Sequence, residues 1–133
     1  MLLYATLGSN DLLRARKFYD AALAPLGIVC SVANDEELGY GSRVLAAGER
    51  QRFLYIVDPL LRLPATWGNG TMLALQGSTR KIVDEFYAAA LANGGIDEGA
   101  PGLRPYHASF YACYVRDPDG NKLSVVCESE SES

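Results

Sequence analysis

Phe18-Tyr19-Asp20-Ala21-Ala22-Leu23-Ala24-Pro25-Leu26-Gly27 returns 68 residues later as Phe86-Tyr87-Ala88-Ala89-Ala90-Leu91-Ala92-Asn93-Gly94-Gly95, with seven of ten positions identical. The offset is close to half of the 133-residue chain, so one unit is duplicated rather than a short repeat stacked into a solenoid. Each copy reads as an amphipathic helix. Leu12, Ala15, Tyr19, Ala22 and Leu26 recur at three- and four-residue steps, as do Ile82, Val83, Phe86, Tyr87, Ala90 and Leu91. Ser9 or Asn10 is the expected N-cap of the first helix, with Asp11 favoured by the positive end of its dipole. Ser78 or Thr79 caps the second. Pro25 and Gly27 end one, and Gly94-Gly95 ends the other.

Working outward, each helix is preceded by a short apolar strand, Leu3–Leu7 or Met72–Leu75. Each is followed by strand-like runs: Gly41–Ala46 and Phe53–Val57, then Phe110–Val115 and Leu123–Cys127. A further strand is expected around Ile28–Val32. Asp117-Pro118-Asp119-Gly120-Asn121 is a strong turn signal between the last two runs. The arrangement predicts an α+β fold in which two sheets each carry a helix on one face.

Composition narrows the function classes. Of 16 acidic residues, three lie in the terminal Glu128–Ser133 run, which leaves a body of thirteen acids against 12 bases. A nearly neutral body lacks the basic face that nucleic acid or an anionic membrane surface requires. Cys30, Cys113 and Cys127 are too few and too scattered for a disulfide framework, and no CxxC spacing suggests structural zinc. With no secretory signal and no long apolar stretch, the expectation is a soluble cytoplasmic protein with reduced thiols.

The opening Tyr4-Ala5-Thr6-Leu7-Gly8, the Phe18–Gly27 helix, and the closing Phe110–Leu123 segment around Asp117-Pro118-Asp119-Gly120-Asn121 together resemble the glyoxalase/bleomycin-resistance/extradiol-dioxygenase group, the vicinal oxygen chelate superfamily. The resemblance spans nearly the whole chain and is weakest from Cys30 to Asn69. It implies one domain over 1–133, with βαβββ modules at about 1–63 and 69–127 and an acidic tail at 128–133. It further implies a cupped mixed sheet with helices on the outer face, a homodimer, and a divalent metal in the cup of active members. Family ligands are a His on each module's first strand and a Glu on each last strand. Carried over, those positions fall on Tyr4, Met72 and Ser124, and the repeat offset sends Ser124 back to Ile56.

A hard divalent cation needs imidazole nitrogen or carboxylate oxygen at three or four convergent points. A phenol, a thioether, an alkyl group and an alcohol do not provide it. The expectation is therefore a cup without the metal, without another cofactor, and with a small organic ligand. Tyr4, Ile56, Met72, Ser124, Trp67, Arg104 and Tyr111 are the candidate ligand-binding residues. Most have a plainer reading beside this one: Tyr4, Met72 and Ile56 as core, Ser124 bonded to backbone, Arg104 paired with a local carboxylate, Trp67 in a subunit contact. His107, the only histidine, is the weak candidate for a general base. Cys113, among Tyr111, Ala112 and Tyr114, reads as a core thiol. Two other functions stay open: a lyase, isomerase or oxidoreductase using non-standard metal ligands, and a non-catalytic structural or interaction module.

Overall fold

The structure is a computed structural model and describes residues 1–43, 47 and 52–130. The first half runs β1 (Ala5–Gly8), α1 (Leu12–Leu23), β2 (Ile28–Ala33), β3 (Glu37–Ser42) and β4 (Leu54–Val57). The second half repeats it as β5 (Leu73–Gln76), α2 (Arg80–Ala92), β6 (Ile96–Leu103), β7 (Tyr111–Arg116) and β8 (Lys122–Cys127). The fold is α+β, two βαβββ modules. Each module forms a four-stranded mixed sheet, ordered β1-β4-β3-β2 and β5-β8-β7-β6. β1 runs parallel to β4 and β5 parallel to β8, and the other pairs are antiparallel.

The helix starts differ in detail from the sequence reading. Asp11, not Ser9 or Asn10, caps α1 by accepting from the Arg14 N–H at 3.0 Å. Ser9 instead accepts from the Asp11 N–H at 3.1 Å, bracing the cap. Asn10 bonds the backbone of Ala65 through both amide atoms, at 2.6 and 3.2 Å, and so ties the helix start to the linker between the modules. Thr79 caps α2 as expected, accepting from Ile82 N–H at 3.1 Å. At the far end of the first helix, Gly27 takes φ 74° and its N–H returns to the Ala24 carbonyl, which a side chain would strain.

Two strands escaped the period-two pattern. The Gly41–Ala46 expectation was late: β3 ends at Ser42, and 44–46 lie outside the described residues. Its glycines hide it, and a Cβ at Gly39 would sit 2.8 Å from Arg52 Cδ and 3.2 Å from Val32 Cβ, so a side chain there would have to push Arg52 aside. β6 carries Gly99, Pro101 and Gly102, and its ladder with β7 shifts register between Asp97 and Gly99 and again before Gly102.

α1 and α2 pack on one another as well as on their own sheets. Ala15, Phe18, Tyr19, Ala22 and Leu23 face inward from α1, and Val83, Phe86 and Ala90 from α2, forming one core with Leu54, Ile56, Leu123 and Val125. Leu91, expected in the α2 stripe, faces outward. Gly95 lets the helices close: a Cβ there would lie 2.8 Å from Phe18 Cε1. Among the described residues no strand of one sheet touches a strand of the other, and no helix is long and apolar enough to cross a membrane.

The β7–β8 turn joins the modules. The buried Asp117 carboxylate accepts from Tyr19 Oη at 2.5 Å, from the Asp119 and Asn121 N–H groups at 2.9 and 2.8 Å, and from Asn121 Nδ2 at 2.8 Å. Asn121 Nδ2 also donates to the Gly8 carbonyl at 2.9 Å. Asp119 accepts from Asn10 N–H and from Arg14 Nη2, both at 2.9 Å. Asp117→Ala would strand Tyr19 Oη and the turn donors in the core, and we expect it to cost about 3 kcal/mol or more, read as a lower urea midpoint with an unchanged m-value.

Burial pushes the Asp117 pKa above its ordinary 3.8, and the hydrogen bonds from Tyr19 and Asn121 pull it only part of the way back. The folded state therefore holds this proton at pH values where the unfolded chain has lost it. Stability from this group falls as pH rises from about 4 through the raised folded pKa. Urea unfolding at stepped pH should show that slope in the native sequence and its loss in Asp117→Asn.

Candidate ligand-binding half-cups

Strand alternation gives each sheet a helix face and an open face. In the first module Leu54 and Ile56 are fully buried against the helices, whereas Thr6, Tyr55 and Val57 look the other way. With Tyr4 and Glu37 they line a concavity of about 370 Å³. The Tyr4 and Tyr55 rings meet edge to face at 5.4 Å, and Arg52 Nε donates to Tyr55 Oη at 3.4 Å.

In the second module Leu123, Val125 and Cys127 face the core, which leaves Lys122 and Ser124 on the open side of β8. Ser124 pairs across the ladder with Ala74 and Tyr114. A larger concavity of about 700 Å³ lies here, lined among others by Met72, Arg104, Tyr106, Phe110, Tyr114 and Lys122. Each half-cup is lined by residues of its own module alone.

The candidates separate cleanly on this frame. Tyr4 and Met72 stand half exposed, at 50% and 43%, on the open sides of the two sheets. Ser124 is on the open face of β8 yet fully buried, and its hydroxyl has no hydrogen-bond partner. Ile56 is a correction. The 68-residue offset holds for β1 and β5 but grows by one residue by the last strands, because Ala5 pairs with Leu54 and Leu73 with Leu123. The counterpart of Ser124 is therefore Tyr55, and Ile56 belongs to the core.

Tyr111 is also on the helix side. Its hydroxyl donates to Asp84 Oδ1 at 2.6 Å, with the Arg80 guanidinium over its ring. Trp67 lines neither half-cup. Its indole lies under the Arg116 guanidinium and against Gly120, where a Cβ would come within 3.0 Å, and so fixes the linker to the β7–β8 turn. Arg104 lines the second half-cup and donates to the Ala100 carbonyl at 2.7 Å, not to the carboxylate expected for it.

His107 sits in the β6–β7 loop with Nε2 2.6 Å from Glu128 Oε2 and its ring edge-on to Phe110. Ser109 N–H approaches Nδ1 at 3.4 Å, so the His107 ring ties the β6–β7 loop to the residue that follows β8. Cys113 is buried, its thiol pushed up to about 11 by desolvation, so it stays protonated and unreactive. Tyr55, Tyr114 and Lys122 were missed. For Lys122 the signal was present, since it lies two residues before Ser124 on the same face.

With the register corrected, the positions to which the resemblance carries metal ligands are Tyr4, Tyr55, Met72 and Ser124. Two phenols, a thioether and an alcohol do not fit a divalent cation that wants imidazole and carboxylate. Among the described residues no three His, Cys, Asp or Glu side chains gather where they could hold an ion.

A glyoxalase/bleomycin resistance protein from Albidiferax ferrireducens T118, known from a crystal structure, is 38% identical over 96% of this chain and 98% of that one, with a TM-score of 0.82. The chain belongs to the glyoxalase/bleomycin resistance protein family. A glyoxalase/bleomycin resistance protein/dioxygenase family enzyme from Burkholderia phytofirmans PsJN shares the fold at 18% identity, over 96% of this chain and 98% of that chain, with a TM-score of 0.71. Lactoylglutathione lyase from Agrobacterium tumefaciens does so at 20%, over 95% and 92% of the two chains, with a TM-score of 0.60. No family model and no curated protein matches the sequence.

If Tyr4, Tyr55, Met72 and Ser124 are the right positions, supplying the missing chemistry should restore a site. Tyr4→His, Tyr55→Glu, Met72→His and Ser124→Glu combined should bind Zn²⁺ or Ni²⁺ near one ion per chain, measured by equilibrium dialysis with elemental analysis. A folded quadruple variant that stays metal-free would refute this register.

Proposed function

We propose that the protein is a small-molecule-binding member of its family that works without the cup metal. It acts as a homodimer in which the β1 half-cup of one copy faces the β5 half-cup of the other. The observation that carries the reading is that Tyr4 and Tyr55 line one half-cup and Met72 the other, with Ser124 buried on the open face of β8, a set that offers no cation grip. The dimer is supported by sheet order. β1 and β5 are edge strands, each with one side unpaired, and a cup lined from both modules needs those edges brought together. Leu2 and Leu3 lead into the β1 edge at 87% and 67% exposure, apolar surface that a second copy would cover. Free Cys30, Cys113 and Cys127 suit a reducing compartment, and we place the protein in the cytoplasm.

Three measurements test this. Light scattering should return a dimer mass, and protein purified with Zn²⁺, Mn²⁺ and Fe²⁺ present should retain no stoichiometric ion after a desalting column. A retained, EDTA-sensitive ion would instead favour a metalloenzyme with non-standard ligands. In a thermal-shift screen of aromatic and thiol-conjugate compounds, a true ligand at a hundredfold excess over Kd should stabilise the fold by about 2.7 kcal/mol. Absence of any shift would favour a structural module.

A further inference from the structure

Resting on the reading of the cup as a small-molecule site, we infer that its second half selects a planar aromatic anion, held by Arg104 and Lys122 over Tyr114. Three observations meet in this concavity. First, it holds two cations without carboxylate partners. The Arg104 guanidinium lies 5.4 Å from the Tyr114 ring centroid and Lys122 Nζ 5.6 Å from it, and among the described residues neither is in an ion pair. The one carboxylate of the lining, Glu98, is already taken by Arg116 Nε at 2.6 Å. In a chain with net charge −4, two positive charges left over in a concave wall form a focused field for an anion.

Second, Arg104 is held in place by the shape of β6. Its guanidinium lies in a trough above two glycines. A Cβ at Gly102 would come within 3.0 Å of Nη1, and one at Gly99 within 3.3 Å of Nη2. The Ala100 carbonyl takes one Nη2 proton at 2.7 Å, which leaves the other guanidinium donors for a ligand. The irregular, glycine-bearing ladder that hid β6 in the sequence thus has a use.

Third, Ser124 lies beneath this wall rather than in its lining, next to Tyr114 in the ladder, fully buried and with its hydroxyl unpaired. A buried hydroxyl without a partner carries a desolvation cost, which marks the floor under Tyr114 as polar. The rest of the wall suits a ring: Tyr106 and Phe110 meet edge to face at 5.0 Å, Tyr106 is largely exposed, and Met72 adds a polarizable thioether.

The test uses the full chain and three probes of one shape: 2-naphthoate, 2-naphthamide and 2-naphthylmethylamine. Binding is measured by calorimetry and located by the methyl resonance of Met72, one of only two methionines. Naphthoate should bind, shift that resonance, and weaken as salt rises, with naphthamide at least roughly tenfold weaker. Arg104→Gln and Lys122→Gln should each weaken naphthoate by about tenfold and leave naphthamide unchanged. Gly102→Ala, which alters no charge, should also weaken naphthoate by displacing the guanidinium. Lys122→Glu, a change at the half-buried start of β8 that leaves Arg104 in place, should invert the preference toward the amine. Naphthamide or the amine binding at Met72 as tightly as naphthoate would overturn the inference while leaving the cup a ligand site. If no probe moves Met72, both readings fall.

Discussion

Asp117 sits where the two halves of the chain must agree. Its carboxylate is inside the protein, so every lone pair it presents has to be met, and the donors come from the first helix and from its own turn. Tyr19 brings α1 to the turn, and Asn121 carries the link on to the end of β1. The neighbouring Asp119, its side chain almost fully covered, holds the start of α1 through Asn10 N–H and Arg14. The relative setting of the modules follows from these bonds and from the close packing of Phe18 over Gly95. Hydrophobic contact alone would let two helices slide over each other. A buried carboxylate with directional partners does not permit that.

That constraint explains which parts of the fold are readable in the sequence. The Phe-Tyr helix motif and the Asp-Pro-Asp-Gly-Asn turn are local signals, and they are also the parts that grip one another, so pattern and structure coincide there. α1, α2, β2, β7 and β8 follow. β3 and β6 do not, because their glycines answer to close approach by Arg52 and Arg104 rather than to a period-two core face. The cap of α1 moved by one or two residues for a similar reason. Asn10 is drawn off by the linker backbone at Ala65, and Asp11 inherits the cap.

The site was half legible. A fixed repeat offset carries the first strands across correctly, and Tyr4 and Met72 both lie on the open side. One extra residue between helix and last strand in the second module turns the same arithmetic into an error, since a shift of one residue on a strand exchanges its two faces. Ile56 is therefore core and Tyr55 is exposed to the concavity. Tyr111 misled in the same manner: it borders a cup residue in sequence and faces the opposite way. Only pairing partners in the ladder resolve such cases, and a single chain does not state them.

A cup that works without a metal, as proposed, asks something different of its wall. In a chelating site the ion supplies the positive charge and the side chains are its anionic or neutral ligands. Tyr, Tyr, Met and Ser in those places remove the need for carboxylates. On the open face of the second sheet the charge balance has moved to cations, with Glu98 answered by Arg116 and no carboxylate among the described residues answering Arg104 or Lys122. A guanidinium and an ammonium are weaker and less directional poles than a divalent ion, but they lie at the edge of a broad aromatic wall. Such a wall binds by area and charge together, without polarising a substrate oxygen as strongly as a Lewis acid does. On the proposed reading, the scaffold passes from transforming a ligand to holding one by exchanging the few residues at the centre of its half-cups, while the Asp117 turn that sets the modules together is a separate feature.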